Sequence, residues 1–312
     1  DADGKSWQAS GTVTSTANGN AAFSITVLDT AGNRGSPKTT TTDSSLVKLD
    51  TTAPELSNLA LRSSNASNSF ALAKSGDNLT LSFTGSEALQ TPIVTLAGST
   101  VSPTSSDNLT WSASLAVTSS VPEGSVSFQV EFKDLLENAA SAVSATTDSS
   151  GVRVDRTAPT VSLGSPSLSL TRTGPVTVTV SYTDADNVTL SSDNVTVTST
   201  DNASAGSTLV SGSGTGTRTV TLSNLAGDGT LSISLASGTA SDEAGNQALS
   251  AGPSGNFTVD NSGPSGTAAI AKEVQNTDNT TTLTLTLTAS DNATVSAYYI
   301  GDNSTQPTSS QF

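Results

Sequence analysis

Ten acidic side chains fall into three recurring sets whose chemistry depends on whether the fold brings them together. Asp29, Asp134 and Asp242 each open a short polar run: DTAGN, DLLEN and DEAGN. Asp50, Asp155 and Asp260 stand 105 residues apart, and each precedes a proline (Pro54, Pro159, Pro264) by four residues. Glu87, Asp186 and Asp291, with Asp184 close by, follow alternating apolar runs. Grouped carboxylates make the hard, oxygen-rich cage that Ca²⁺ takes with about six to eight ligands. In a two-sheet sandwich a hairpin tip and a strand end meet at one pole, so the first two sets would join the third there. A local reading competes. Asp at the first position of a turn accepts from the backbone two residues on, and Gly-Asn tolerates positive φ. A strand-terminal Asp near a proline is also ordinary turn chemistry. Both readings stay open at this level. No segment has the dense Asp spacing of an EF-hand loop or the glycine pattern of a calcium β-roll, so any calcium would be structural and few-sited.

The elements that must position these residues are repeated as well. AAFSITVLDTAGN (21–33) corresponds to VSFQVEFKDLLEN (126–138), which sets Phe23 on Phe128, Ile25 on Val130 and Val27 on Phe132. KSWQASGTV (5–13) matches LTWSASLAV (109–117), with Trp7 on Trp111. LTLSFTGSE (79–87), VTVSYTDAD (178–186) and LTLTLTASD (283–291) correspond in turn. Apolar and polar residues alternate at period two, the signature of half-buried strands, and clusters of Gly, Asn, Asp and Ser separate them. About seven short strands in roughly 100 residues predict an immunoglobulin-like sandwich. Almost no helix is expected, and Trp7 and Trp111 are expected between the sheets.

The fold class is therefore all-β: tandem immunoglobulin-like β-sandwich domains in a linear rod with a repeat of about 105 residues. The expected domains are 1–54 (the later half of a sandwich), 55–159 and 160–264 (two complete ones) and 265–312 (an early half). The seam between units is a strand end, a few polar residues and a proline, which fixes φ and biases its predecessor to extended conformations.

Composition removes several classes of function. There is no Cys and no His, so disulfides, thiolate nucleophiles, Ser-His triads and the usual zinc sites are absent. The net charge of −15 offers no basic stripe to nucleic acid. No stretch is long and apolar enough to span a membrane as a helix. Paired carboxylates can hydrolyse glycosides, but a catalytic pair repeated in every unit is improbable, so no enzyme is expected.

At D-x-A-G-N and at (V/F)-x-(V/L)-D-x-T-A-P the chain resembles the bacterial immunoglobulin-like repeats found in tandem in large surface and secreted adhesin-type proteins. The likeness runs along essentially all of the chain. LLEN at 135–138 and NSGP at 261–264 depart from the pattern. The resemblance implies an extracellular or cell-surface location, a spacer role, and calcium at the domain seams. The candidate ligands are Asp29, Asp50, Glu87, Asp134, Asp155, Asp184, Asp186, Asp242, Asp260 and Asp291.

The leading expectation is a structural rod or filament segment, the stalk of a surface adhesin or a biofilm matrix fibre. Its partners would be further copies or repeats of itself head to tail, with cell-surface or glycan partners reached through modules outside this chain. One alternative is a glycan- or ligand-binding module using exposed loops of 160–264, among them the polar insert 199–216, which has no aromatic to stack on a sugar ring; the other is an ancillary domain of a secreted enzyme. The half-domains at 1–54 and 265–312 fit a window on a longer array, a subunit completed by its neighbours, or an arbitrary boundary of the sequence. The first residue, Asp1, fits a processed product or a fragment.

Overall fold

Period-two alternation becomes strand wherever one face can be covered. The computed structural model describes residues 6–11, 18–66, 70–270 and 285–300. The chain divides into two compact units, 1–156 and 157–312.

In the first unit, β1 (Gly19–Asn20) and β2 (Lys48–Leu49) form a short antiparallel ladder. A sandwich follows. β3 (Leu56–Ser63), β4 (Leu72–Ala73), β5 (Asn78–Gly85), β6 (Ile93–Leu96) and β7 (Ser99–Val101) come first. β8 (Thr110–Ala116), β9 (Gly124–Ser125), β10 (Phe128–Glu131) and β11 (Arg153–Val154) complete it. The order β3-β5-β8 makes one layer, and β10-β6-β7 with β4-β11-β9 makes the other. Leu79, Leu81 and Phe83 point inward from β5, and Trp111 and Ala113 from β8. They meet Val94, Leu96 and Val130 of the opposite layer in one core. The first strand is split: β3 pairs antiparallel with β5, whereas β4 pairs parallel with the last strand, β11.

The second unit repeats this plan. Its strands are β12 (Thr160–Leu163), β13 (Leu170–Thr171), β14 (Val176–Thr183), β15 (Asn187–Val188) and β16 (Val195–Ser199). They continue with β17 (Ser204–Ser211), β18 (Thr217–Ala226), β19 (Gly229–Leu235), β20 (Ala240–Ser241) and β21 (Phe257–Val259). The sheets β12-β14-β18-β17 and β13-β21-β19-β16 enclose a core of Val178, Val180, Tyr182, Leu222, Ile233 and Phe257. Again the split first strand lies antiparallel to one sheet through β12 and parallel to the last strand through β13. A hairpin of β22 (Ser265–Ile270) and β23 (Leu285–Ser290) follows. The longest helical element among the described residues is a 3-10 turn at Ser192–Asn194, and no helix there is long and apolar enough to cross a membrane.

Two expectations need correcting. Trp111 is 4% exposed, but Trp7 is 80% exposed. The described part of 6–49 forms only β1, β2 and isolated bridges at Ile25–Lys38 and Leu28–Arg34, so no second sheet closes over Trp7. The polar insert 199–216 is largely strand: β17 pairs with β18 from Ser204↔Ala226 to Ser211↔Thr219. Its Ser, Thr and Gly residues hide that strand from a hydrophobic pattern, because most of its residues are open to solvent.

Candidate metal site and the seam clasp

The three hairpin aspartates form the same turn. Asp29 Oδ1 accepts from the amides of Ala31 (2.9 Å) and Asn33 (2.8 Å), and Oδ2 accepts from Asn33 Nδ2 (2.7 Å). Asp134 Oδ1 accepts from the amides of Leu136 (2.8 Å) and Asn138 (2.9 Å), and Oδ2 from Asn138 Nδ2 (2.7 Å). Asp242 accepts from the Asn246 amide and from Asn246 Nδ2, both at 2.8 Å. The fourth residue of the turn is left-handed each time: Gly32 (φ 85°), Glu137 (φ 75°) and Gly245 (φ 84°). DLLEN thus keeps the turn although Glu137 lacks glycine's freedom there. Glu137 is tied down by Lys133 Nζ and by Gln90 Nε2 (2.9 Å).

The turn reading therefore holds for all three, but one turn does more. Carboxylate oxygens of Asp50, Glu87 and Asp134 lie within 4.8 Å of one another. These residues come from the first seam, the end of β5 and the hairpin tip, as the pole argument requires. Asn138 Nδ2 also donates to the Asp50 carbonyl (3.1 Å), binding hairpin to seam. Asp50 spends Oδ1 on the Thr52 amide (3.0 Å) in an Asx turn. Asp134 is 2% exposed and the other two are half-buried.

Burial, and then the charges of Asp50 and Asp134, push the Glu87 carboxyl above its ordinary value. Burial also acts to raise Asp134, but bonds from Asn138, Leu136 and Glu137 together outweigh it and hold that carboxyl low. The ion pairs Arg62–Asp148, Lys133–Glu137, Arg153–Asp155 and Arg156–Glu123 all use other carboxylates, so none of them neutralises the three.

The other expected ligands do not form a second such group within either unit, among the described residues. Asp29 is exposed in its turn. Asp155 pairs with Arg153 at 2.9 Å. Asp184 is exposed with φ 59°, and the Asp186 amide donates to the Ser241 carbonyl (2.9 Å). Asp242 stays with Asn246. Asp260 Oδ1 accepts from the Ser262 amide (3.2 Å). Asp291 lines a polar cavity of about 650 Å³ with Asp201 and Asp228.

A further recurring contact has no counterpart in the sequence reading. The amide of the residue after each seam aspartate donates to a side chain 33 residues upstream. Thr51 N reaches Asn18 Oδ1 (2.9 Å), Arg156 N reaches Glu123 Oε1 (3.3 Å), and Asn261 N reaches Asp228 Oδ1 (2.6 Å). The clasping residue precedes a positive-φ glycine each time: Gly19 (125°), Gly124 (100°) and Gly229 (138°). At Gly229 a Cβ would run into the Thr200 carbonyl, so glycine is required there by space as well as by φ. Each glycine pairs with the residue two before the seam amide: Gly19↔Leu49, Gly124↔Val154, Gly229↔Val259. Bonds from Ser262 and from the Asn261 amide lower the Asp228 carboxyl, so its contribution is present above the ordinary 3.8 and is lost as pH falls through the folded value. Asp228→Ala should lower the melting temperature of the chain at pH 7 by a few degrees, and scans at falling pH should show the difference from wild type shrinking. A pH-independent difference would assign the effect to packing instead.

No family model and no curated protein matches the chain. Among solved structures it is similar to FdeC, an Escherichia coli adhesin, at 20% identity and a TM-score of 0.34, covering 77% of this chain and 76% of that one. It is also similar to SGBP-B of a Bacteroides ovatus mixed-linkage glucan utilization locus, solved with a mixed-linkage heptasaccharide. The identity there is 16% and the TM-score 0.17, over 67% of this chain and 48% of that one. Likenesses at this level assign neither an overall arrangement nor a role to this chain.

Proposed function

We propose that the chain is a structural segment of an extracellular bacterial surface protein, a stalk or filament of immunoglobulin-like sandwiches joined end to end and stiffened at its seams. The observation that carries this reading is the clasp: three successive seams receive the same backbone contact from positions 18, 123 and 228. A binding or catalytic site needs one constellation, whereas a load-bearing array needs the same joint at every unit. The reading gives the acidic residues a holding role and no catalytic one.

Calcium belongs to the first seam in this reading. Asp50, Glu87 and Asp134 would hold it. Three carboxylates with no ion pair to them among the described residues, in a chain lacking Cys and His, fit a hard divalent ion rather than a soft one. Bound there, the ion would supply the charge that Glu87 lacks and link seam, strand end and hairpin.

Small-angle X-ray scattering tests the stalk. A compact globule of 312 residues has a radius of gyration of roughly 20 Å, and an end-to-end array should give on the order of 30 Å or more. A value near the compact limit would sink the proposal.

A further inference from the structure

The run GSTLVSG, from Gly206 in β17 to Gly212 just after it, is a palindrome of residue types about Leu209. Glycine mirrors glycine, serine mirrors serine, and Thr208 mirrors Val210, which has nearly the same shape. A strand with this pattern, open along one side, can pair antiparallel with a copy of itself and set like against like.

Strand β17 is open in this way. It is an edge of the sheet β12-β14-β18-β17 and pairs only with β18. The Tyr182 amide donates to the Gly216 carbonyl (2.8 Å), so even-numbered residues of β18 turn their backbone groups to β14 and odd-numbered ones turn theirs to β17. Ser207, Leu209 and Ser211 lie opposite odd-numbered residues of β18, which leaves Thr208 and Val210 directing N–H and C=O away from the sheet. Among the described residues, nothing bonds to those groups. The first unit treats its edges differently. The outer side of β3 is covered by bonds from Leu59 to Thr147 and from Leu61 to Ser150, and that of β8 by a double bridge between Thr104 and Ser112. Charged side chains and prolines commonly blunt an open edge. Strand β17 has neither, and 202–217 holds no charged residue in a chain of net charge −15.

We infer that β17 is a lateral docking edge whose partner is the same edge of a second copy, paired antiparallel about a two-fold axis at Leu209. Thr208 then lies opposite Val210 of the other copy, and the two exchange backbone bonds on both sides of the axis. Ser207 lies opposite Ser211. Val210 packs on the core, so Leu209 points to the other face of the sheet, where it is exposed. At the axis the two Leu209 side chains meet at a non-hydrogen-bonded position, the closer of the two antiparallel spacings. Backbone bonds supply affinity, as in strand addition at a sheet edge. The paired segments bring no charges face to face. Because both copies use the same patch, the contact closes at two molecules and joins them side by side. It rests on neither the seam clasp nor calcium.

The chain has no cysteine, so one substitution reads the register. Leu209→Cys places two thiols across the axis on Cα atoms about 4.5 Å apart, within disulfide range. Ser207→Cys puts an exposed thiol on the same face, but its two copies lie four residues out of register, roughly 13 Å apart and beyond disulfide reach. Under mild oxidation Leu209→Cys should give a band at twice the 31.0 kDa chain on a non-reducing gel, and Ser207→Cys at least tenfold less. In sedimentation equilibrium the wild-type mass should rise from one chain toward two at concentrations up to about 1 mM, where even a Kd of about 1 mM leaves roughly half of the chains paired. Leu209→Lys sets two cations together at the axis and should stay monomeric. Equal crosslinking of the two cysteine variants, a monomeric wild type throughout, or a Leu209→Lys variant that associates like wild type would each overturn the inference. Circular dichroism of every variant should match wild type, since these side chains face solvent, and this separates misfolding from lack of contact. A monomer with an extended scattering profile would remove the lateral pair and leave the stalk standing.

Discussion

Asp134→Ala is expected to lower the first thermal transition of the chain by about 10 °C or more, the steepest loss from any side chain at the seams. The carboxylate satisfies the Leu136 and Asn138 amides and Asn138 Nδ2 from a position only 2% exposed. A buried donor left without a partner costs about 1–3 kcal/mol. Leu136 is exposed and Asn138 half-buried, so water recovers part of the loss and about 2–4 kcal/mol remains. For a domain of this size each kcal/mol moves the midpoint by roughly 4–8 °C. Asp29→Ala removes the same set of bonds from an exposed turn, where the amides rehydrate, and should have a clearly smaller effect. Asp134→Asn should fall between wild type and Asp134→Ala, because its amide nitrogen would face the donor Asn138 Nδ2. Equal shifts for Asp29→Ala and Asp134→Ala would mean that burial plays no part.

That comparison shows what a sequence can and cannot carry. The strands β5, β8 and β14 are legible because their apolar residues alternate and one face is buried. The DxAGN turn is legible because Asp, Gly and Asn each do one thing there. DLLEN is harder, since only its first and last residues remain, and those two are the ones that make the bonds. The clasp escapes a comparison of residue types because Asn18, Glu123 and Asp228 differ. What is constant is a side-chain oxygen one residue before a glycine, and the 105-residue interval alone would have found it. Strand β17 was hidden for the opposite reason: an open strand needs no apolar stripe, so its backbone ladder left no mark in the hydrophobicity. The convergence of Asp50, Glu87 and Asp134 lay beyond the sequence altogether. The same three sets recur along the chain, and which members meet depends on the path of the seam and the depth of the hairpin tip. Asp155 illustrates the point: Arg153, two residues away, is enough to give it a different partner.

Glu87 decides whether the first seam is a metal site. Without divalent cations its carboxyl, raised by burial and by Asp50 and Asp134, binds its proton more tightly in the folded chain than in the unfolded one. Its contribution is therefore present below the ordinary 4.5 and lost as pH rises through the folded value. Asp134 runs the other way, contributing above 3.8 and losing that as pH falls through its own lowered value. In EDTA at pH 7, then, the carboxylate cluster carries uncompensated repulsion, and Glu87→Gln should raise the first transition by a few degrees. Calcium should reverse the order. A ligand present at about a hundred times its Kd stabilises the folded state by about 2.7 kcal/mol, which is on the order of 10 °C for one domain. Wild type in millimolar Ca²⁺ should therefore melt well above wild type in EDTA, and above Glu87→Gln in either condition, because the variant removes one of three anionic ligands. Calcium should also flatten the decline in stability above pH 4.5, since the ion binds the deprotonated form. If wild type melts at one temperature in EDTA and in calcium, the three carboxylates hold no metal. If calcium stabilises Glu87→Gln as strongly as wild type, the ion sits elsewhere, and the first seam is held by the Asn138 and Asn18 contacts without a metal.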